Sequence, residues 1–256
     1  MSQSSAQRKL ARGIEQVYAL SRETGDFEHA HAYVPDVKRK IRSPKEVEYK
    51  ITAIENARPK EDWPLLAGEA IQNLRAALDH AVYAASANKY RRSSQFPIFT
   101  DPCEFQVKGR PLIAGVPKAI RALIENAQPY KRLPLTPALS PLAVLSSLSN
   151  RDKHRTLSTV VTSVRFQYVS LGEGIQIEAI KPFREGEPLH YGAEIAHFIA
   201  RSESEITEVD VNPRFVYEVR IEGRPLLSTL GMIVVAVSDA VTECETGQPI
   251  EPLAQL

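Results

Sequence analysis

The pattern of apolar and polar positions predicts that the chain opens with a helix, a loop and a strand. Apolar side chains recur every three or four positions over residues 6–21, and Gly25 is expected to end this helix. Residues 26–44 are polar and contain two prolines, so we expect a loop whose basic run, Lys38–Arg42, is solvated. Apolar and polar residues then alternate over residues 47–53, which predicts a strand with one buried face.

The clearest helical pattern covers Leu65–Ala87, where we predict an amphipathic helix at the centre of the fold. At about 100° per residue, its apolar side chains fall within one arc of about 100°, which we expect to be buried. This arc consists of Ile71, Leu74, Leu78, Ala81, Val82 and Ala85.

The opposite face of this central helix carries acid, amide and imidazole groups instead of lysines. Glu69, Asn73 and His80 lie within about 40° of one another on the helical wheel. The residues that flank them are Gln72, Asp79 and Tyr83, with Arg75 at the boundary between the faces. Small residues fill the remaining positions, namely Ala76, Ala77 and Ala84. Another backbone or a ligand could therefore come close to this face, or it could pack on the rest of the protein with its polar groups satisfied internally.

The second half of the chain predicts two short helices, then strands and a final helix. The short helices are expected at residues 117–126 and 141–149, and the final amphipathic helix at 226–242. Between them, β-branched and aromatic segments separated by turn signals predict an antiparallel sheet of about four to five strands near residues 157–222. The segments are 157–166, 174–180, 206–211 and 215–221.

These elements predict an α+β fold. Because a strand precedes the central helix and the main sheet follows the helices, we expect one integrated domain over residues 1–256. The alternative is a division near Thr156 into a mainly helical part, 1–156, and a sheet with one helix, 157–256.

Composition and charge narrow the classes of function. Hydrophobic residues make up 43% and charged residues 25% of the 256 positions, which is typical of a folded globular protein. The formal net charge is only +1, so no global field attracts the chain to nucleic acid or to an anionic membrane. Any phosphate binding must therefore come from a local cluster of cations.

Cysteine usage and hydropathy predict the cellular setting. Cys103 and Cys244 show no CxxC spacing, so we expect reduced thiols without a disulfide partner and no thiolate metal site. The first residues lack the apolar run of a signal peptide, and no stretch approaches the roughly 18 apolar residues of a transmembrane helix. We therefore expect a cytoplasmic protein with no membrane segment.

The most charged local cluster, Asn150–Arg155, follows the predicted helix at 141–149. Its three cations can hold a phosphate group, and its acid and its histidine could lie against the polar face of the central helix. The alternative is a charged loop at a helix C-terminus, where the dipole favours cations. The candidate substrate-binding residues are Glu69, Asn73, Arg151, Asp152, Lys153, His154 and Arg155.

Several other chemistries have no sequence support. A metal site is conceivable from Glu69, His80, Asp152 and His154. Neither HExxH nor another spacing that sets metal geometry is present, however, so we expect no metal at these residues. The chain also lacks GxSxG, a Walker loop and GxGxxG, and we expect no cofactor.

Arg75 and His80 have an R-x4-H spacing on the central helix, which resembles the motif of the higher eukaryote and prokaryote nucleotide-binding (HEPN) domains. In ribonuclease members, this resemblance implies, the arginine holds the scissile phosphate and the histidine activates a ribose 2′-hydroxyl without a metal. On one helix the two side chains diverge by about 140°. They could converge if Arg75 curls round, or if two protomers contribute across a dimer.

A longer resemblance covers about Tyr49–Arg155. Residues Gly68–His80 match a G-[DE]-x3-NLR-x-ALDH core, and Leu145–Arg155 match an LxxLxNxDKHR-like stretch. Both patterns are similar to those of a family of uncharacterised bacterial proteins. This resemblance indicates a family without indicating an activity.

Two classes of function follow from these patterns. In the first, Arg75 and His80 are the catalytic residues of a metal-independent ribonuclease or belong to a nucleotide-binding protein, and RNA or a nucleotide is the partner. In the second, a non-catalytic binding or scaffold protein forms a homodimer through the central helix. An open groove that joins His80 to Arg75 and to the 150–155 cluster favours the first class, whereas a buried His80 bonded to backbone favours the second.

Overall fold

A computed structural model describes residues 3–167, 174–181, 184–204, 206 and 214–250. The chain forms two compact units, each assembled from separate stretches of sequence. The first unit consists of Met1–Ser21, Asp62–Leu157 and Leu227–Leu256, and the second of Arg22–Glu61 and Ser158–Leu226. Helices dominate the first unit and strands the second, so the predicted α+β class is confirmed.

One boundary between the units, after Leu157, falls where the sequence changes character near Thr156. The other boundaries divide the first helix, Ser5–His29, after Ser21, separate the early strands from the central helix, and fall at the start of the last helix, after Leu226. A single integrated domain over residues 1–256 stays a prediction.

The helices differ widely in length. The longer ones are α1 Ser5–His29, α2 Trp63–Ala85, α5 Lys118–Asn126, α7 Pro141–Asp152 and α8 Leu226–Thr246, and the shorter ones are α3 Pro102–Glu104, α4 Arg110–Leu112 and α6 Pro129–Arg132. Short 3₁₀ turns lie at Asn88–Ser93 and Pro137–Leu139, and a π-helical turn at Phe105–Gly109.

A capping box begins α1. The Gln7 backbone nitrogen donates to Ser4 Oγ at 3.0 Å, and the Ser4 nitrogen donates to Gln7 Oε1 at 3.3 Å. Glu245 of α8 holds both residues, because its carboxylate accepts from Gln7 Nε2 at 2.7 Å and also from Ser4 Oγ. These bonds fix the first turn of α1, where Ser5 lies.

Helix α1 continues past Gly25, so the predicted end of this helix is wrong. Gly25 lies inside the helix, which ends at His29. A glycine in a helix interior costs about 1 kcal/mol. Phe27, in the added turn, is 7% exposed and packs edge-on against Tyr33 and Tyr217 of the second unit. Burying an aromatic side chain contributes about 1.5–3 kcal/mol, which exceeds the cost of the glycine.

Helix α2 matches the predicted central helix within two residues at each end. Pro64 lies in its first turn, where a missing backbone N–H costs nothing. Leu74, Leu78 and Val82 are fully buried, which confirms the predicted core face.

Two alanines of α2 correct the helical-wheel assignment. Ala77, expected on the polar face, is fully buried, and Ala85, expected in the core, is only half-buried. Helix α1 approaches α2 so closely that a Cβ atom on Gly13 would lie 2.8 Å from Leu74 Cγ. Helix α7 also packs on α2. The buried side chains of α2 therefore extend over a wider arc than those of a helix that is covered on one side only. Ala85 is the last residue of the helix, where this cover ends.

The second unit contains two antiparallel sheets. One has the strand order β1-β2-β5-β4 and the other has the order β3-β6-β7. The strands are β1 Tyr33–Ser43, β2 Glu46–Glu55, β3 Thr159–Gln167, β4 Ile175–Lys181, β5 Glu194–Ser202, β6 Arg214–Ile221 and β7 Arg224–Pro225. The strands expected to form one sheet near residues 157–222 are therefore divided between two. The segment expected at 206–211 lies outside the described residues, except for Ile206.

Strand β1 occupies the segment that we expected to be a loop, including the basic run Lys38–Arg42. It pairs with β2 in antiparallel register from Tyr33 opposite Glu55 to Ser43 opposite Glu46. As an edge strand, β1 can hold Pro35 where no outward donor is needed, and its basic side chains can face solvent. In the sequence, prolines and a basic run are typical of a loop. The segment forms a strand because its backbone pairs with β2 on one side, and this pairing leaves no pattern in its own side chains.

Strand β5 lies at the centre of its sheet, between β2 and β4, and the sequence did not predict it. Side chains on both of its faces are buried, namely Ile195, Ala196, Phe198, Ile199 and Ala200. A strand buried on both faces lacks the alternation of apolar and polar residues that marks a half-buried strand.

A charged group lies on the four-stranded sheet at Glu48 of β2. Its carboxylate accepts a hydrogen bond from Arg42 Nε at 3.0 Å and lies 2.7 Å from His197 Nε2. The hydrogen bonds from Arg42 and then from His197 lower the pKa of Glu48 to about 2. The carboxylate is therefore ionised in neutral solution.

Helix α8 is longer than predicted, because it continues to Thr246. Within the described residues it is the one helix that is long and apolar enough to cross a membrane, judged by length and composition alone. Core helices of water-soluble proteins meet the same criterion, and 44% of its most apolar window is buried. The expected absence of a membrane segment stays a prediction.

Candidate functional site

Glu69 and Asn73, on the polar face of α2, are held by side chains of α1. Glu69 Oε2 accepts a hydrogen bond from Gln16 Nε2 at 2.7 Å. Asn73 Nδ2 donates to Gln16 Oε1 at 2.9 Å, and Lys9 Nζ donates to Asn73 Oδ1 at 3.1 Å. Gln16 is 4% exposed, so these bonds satisfy a buried amide and join the two helices. A ligand at this face would have to replace them.

Asp152 brings the charged cluster into contact with the central helix. Its Oδ2 atom accepts a hydrogen bond from Gln72 Nε2 at 3.0 Å. The same nitrogen donates to the Ser149 carbonyl at 3.1 Å, and Ser149 Oγ donates to Gln72 Oε1 at 3.2 Å. The approach is so close that a Cβ atom on Gly68 would lie 2.3 Å from Asp152 Oδ1. A glycine is therefore needed here for its lack of a side chain.

The other residues of the cluster point in different directions. Lys153 lines a cavity beside Arg75. Arg151, Lys153, His154 and Arg155 are all exposed, and among these four the lining of that cavity includes Lys153 alone. The structure therefore places Asp152 against α2 and Lys153 at the rim of the Arg75 cavity, and the other three residues do not belong to that lining.

Arg75 is buried against the segment that follows α2. Its Nη2 atom donates to Asp79 Oδ1 at 2.9 Å and to the Phe96 carbonyl at 2.7 Å, and the side chain is 11% exposed. The Phe96 nitrogen donates to the same Asp79 oxygen at 3.0 Å. This three-way arrangement fixes the guanidinium. Its Nε–H and Nη1–H groups have no hydrogen bond among the contacts that the described residues show.

Burial shifts the pKa values of both Arg75 and Asp79. Burial raises the pKa of Asp79, and the charge of Arg75 and the hydrogen bond from Phe96 oppose the rise. Lys153 and His80 also lie close enough to lower it. Burial lowers the pKa of Arg75 while Asp79 opposes that change, but a guanidinium stays protonated in proteins. The cavity wall therefore carries a fixed cation.

The cavity at Arg75 is small and polar, with a volume of about 180 Å³. Arg75 forms one side, and residues of α7 form another. They are Ser146, Ser149 and Asn150, and Lys153 at the C-cap of α7 joins them; the four share one face because they lie at i, i+3, i+4 and i+7. Residues 95–99 and Leu112 complete the lining. Two cations and several hydroxyl and amide groups thus surround a space that suits a small anion.

His80 opens onto a different cavity of about 620 Å³. Its Nδ1 atom lies 2.7 Å from Ser5 Oγ at the beginning of α1, and the ring is half-buried. The lining consists of Ser5, Ala6, Asp79, His80, Tyr83, Ala84, Arg91 and Ser94. Arg75 does not belong to it. The two residues of the R-x4-H spacing therefore face separate cavities, as their divergence on one helix predicts.

Sequence reasoning missed several residues of these two cavities. Ser5 lies far from the central helix in sequence, Arg91 lies in the 3₁₀ turn that follows this helix, and the Phe96 carbonyl is a backbone group without a side-chain signal. The polar face of α7 was detectable, since Ser146, Ser149, Asn150 and Lys153 repeat at helical spacing. The charges of that segment indicated Lys153 together with Arg151 and Arg155, whereas Ser146, Ser149 and Asn150 were not among the candidate site residues.

Metal and cysteine chemistry have limited support in the described part of the chain. There, no group of three or more histidine, cysteine, aspartate or glutamate residues could hold a metal ion. Cys103 is exposed and Cys244 is buried, and both are free thiols in this structure. Burial raises the pKa of Cys244 to about 12, so its thiolate is not a ready nucleophile.

Comparison of the chain with protein-family models, with curated proteins and with solved structures gives no match. The arguments about function therefore depend on the chemistry of these side chains.

Proposed function

We propose that the protein binds the phosphate group of a nucleotide or of an RNA chain in the cavity between Arg75 and Lys153. The observation that carries this proposal is the tethered guanidinium. Asp79 and Phe96 occupy Nη2, so that the remaining N–H donors of a buried Arg75 are available to a ligand. Lys153 supplies a second cation from another side of the cavity.

The charges of the site favour an anion. Asp79 can offset only one of the two cations, so a positive charge remains for the ligand. A hydrogen bond between a guanidinium and a phosphate oxygen is charge-assisted, and it strengthens where water is scarce. Ser146 and Asn150 offer neutral donors beside the cations.

The volume of the cavity limits what enters it. Small-molecule sites usually occupy about 300–1,000 Å³, and this cavity of about 180 Å³ is smaller. It suits a phosphate group and not an entire nucleotide. The sugar and base of the ligand would therefore lie outside the cavity.

Metal-independent RNA cleavage by Arg75 and His80 is a narrower proposal. It requires both side chains at one phosphate, whereas each lines its own cavity. Cleavage would need a second protomer to supply the other residue. Binding is therefore the function that this geometry supports better.

The scaffold alternative also has less support. Its homodimer would use the central helix, but side chains of α1 bond to Glu69 and Asn73, and Gly68 and Gln72 lie against α7. A partner chain on the polar face of α2 would meet the exposed residues Glu69, Tyr83 and Ala84 and would have to fit around these contacts. A homodimer through another surface stays a prediction.

Isothermal titration of the full chain with inorganic phosphate, at constant ionic strength, tests the proposal. Lys153→Ala should weaken binding by about 10-fold or more, because a hydrogen bond to a charged group contributes about 1.5–3 kcal/mol. Arg75→Lys should also weaken it. A lysine ammonium cannot keep the hydrogen bonds to Asp79 and to the Phe96 carbonyl and also donate two parallel hydrogen bonds to a phosphate group. Lys118→Ala, an exposed cation on α5, is the matched control and should bind as the wild type does.

Nucleoside monophosphates and a short single-stranded RNA should then compete with inorganic phosphate for the site. Absence of phosphate binding, or equal binding by Lys153→Ala, would contradict the proposal. Incubation of the RNA with the protein and a chelator tests the nuclease proposal separately. Cleavage that His80→Ala and Arg75→Lys both abolish would support it.

A further inference from the structure

A serine and a histidine meet at the mouth of the larger cavity in the first unit. Ser5 Oγ lies 2.7 Å from His80 Nδ1, which is a hydrogen-bond distance, and the hydroxyl is the donor in the tautomer that carries the ring proton on Nε2. This pairing of a hydroxyl with an imidazole is the arrangement by which enzymes activate a serine.

The position of Ser5 is set by its neighbours. The capping box of Ser4 and Gln7 fixes the first turn of α1, and Glu245 of α8 holds both of these residues. His80 lies in the middle of a long helix. Both partners therefore stand on elements that the fold holds in place, which a reactive geometry requires.

The cavity offers room for a substrate. Its volume of about 620 Å³ lies within the usual range for small-molecule sites. Ser5 is exposed, so its hydroxyl can be reached. Ala6, Ala84 and the half-exposed ring of Tyr83 provide an apolar surface beside it.

Charges around the pair fit a proton transfer. Asp79 lines the same cavity and lies close enough to His80 for the two charges to interact. A carboxylate there stabilises the imidazolium that forms when the histidine accepts a proton. The Arg91 guanidinium lies over the Tyr83 ring, 5.2 Å from its centroid, and adds a cation to the wall.

The first residues of α1 also supply donors. In the first turn of α1 the Gln7 nitrogen donates to Ser4 Oγ and the Arg8 nitrogen donates to the Ser4 carbonyl, so among the described contacts the N–H groups of Ser5 and Ala6 are the ones left for a ligand. These N–H groups lie next to Ser5 Oγ in the chain. They are suited to the oxyanion that forms when a hydroxyl attacks a carbonyl group.

We propose that Ser5 and His80 form a nucleophile and base that hydrolyse small carboxylic esters in this cavity. Arg91 favours substrates with an anionic substituent. The inference is independent of phosphate binding at Arg75 and Lys153, because the two cavities have different linings.

The reaction has two steps, and water is its second substrate. Ser5 Oγ bonds to the carbonyl carbon while His80 accepts the hydroxyl proton, and the ester C–O bond then breaks as the leaving alcohol takes that proton. The product of this step is an acyl ester on Ser5. Water adds to the acyl carbon and gives a proton to His80. Ser5 Oγ leaves with that proton, and a carboxylic acid is released.

The test uses the full chain with p-nitrophenyl acetate as substrate and a fluorophosphonate as a covalent probe. The wild type should hydrolyse the ester faster than buffer does, and peptide mapping should place the probe on Ser5. Ser5→Ala should abolish labelling, and both Ser5→Ala and His80→Gln should lower kcat/KM by about 10²-fold or more. Ser93→Ala, whose serine lies outside this cavity lining, is the control and should keep both properties.

Two further comparisons make the test decisive. Alanine is favourable in the first turn of a helix, so Ser5→Ala should fold, and an unchanged melting curve would verify this. Arg91→Ala should raise KM for an ester with a carboxylate substituent by a larger factor than it raises KM for p-nitrophenyl acetate, because only the first ester carries the charge that Arg91 binds. Hydrolysis no faster than in buffer, or labelling and turnover that survive in Ser5→Ala, would overturn the proposal.

Discussion

Replacement of Gly68 by alanine tests the contact between α2 and α7 that organises the candidate site. A Cβ atom at Gly68 would lie 2.3 Å from Asp152 Oδ1 and 2.9 Å from Asp152 Cγ. Real Cβ atoms essentially never come within 3.0 Å of another heavy atom, so the side chain of Asp152 must move. It can do so only by giving up the hydrogen bond from Gln72.

Two opposing effects determine the size of the change. Alanine is favoured over glycine in a helix interior by about 1 kcal/mol. The lost bond from Gln72 ends on a charged carboxylate, and such bonds contribute about 1.5–3 kcal/mol. We therefore expect Gly68→Ala to lower the free energy of unfolding by about 0.5–2 kcal/mol.

Gly231 in α8 is the matched control, because a Cβ atom there would meet nothing within 4 Å. Gly231→Ala should raise the free energy of unfolding by about 1 kcal/mol, since only the helical preference of alanine acts. In an Asp152→Ala background the obstacle is gone, so Gly68→Ala should also become stabilising. The sign of the effect of Gly68→Ala thus depends on Asp152.

Urea denaturation followed by far-ultraviolet circular dichroism measures these differences, provided that the slopes with urea agree among the variants. If Gly68→Ala stabilises the wild-type chain as much as Gly231→Ala does, Asp152 does not lie against Gly68. This result would refute the packing of α7 on α2 through Asp152, Gly68 and Gln72.

Two more predictions concern the core of the first unit and the sheet of the second. Leu78 is 0% exposed, so Leu78→Ala should cost about 2–5 kcal/mol in urea denaturation, and a loss below about 1 kcal/mol would contradict its packing. For Glu48, the pKa is lowered from 4.5 to about 2, so its stabilising effect is present above pH 4.5 and disappears as the pH falls toward about 2. Glu48→Gln should remove this part of the acid dependence of thermal unfolding, whereas an unchanged acid profile would show that Arg42 and His197 do not hold the carboxylate.

The sequence predicted the type and the buried side of those elements that have a single buried face. The helical spacing of Leu74, Leu78 and Val82 identified both α2 and its core side, because a helix repeats every 3.6 residues whatever it packs against. The alternation over residues 47–53 identified β2 for the same reason.

The same patterns did not predict elements that are buried on both faces, that lie at the edge of a sheet, or that are stabilised by contacts with other segments. β5 lacks alternation because both faces are buried, and β1 lacks it because its outer half faces solvent. Helix α1 passes Gly25 because Phe27 packs against Tyr33 and against Tyr217, and Tyr217 lies 190 residues further along the chain.

The candidate site shows the same division. The residue types at Arg75, His80 and Lys153 indicated phosphate or acid–base chemistry, and the helical spacing of Arg75 and His80 indicated that they diverge. Only the tertiary structure decided which cavity each one faces. Arg75 turns toward Phe96 and α7, and His80 meets Ser5, because these partners come from distant segments and their positions depend on how the helices of the first unit pack.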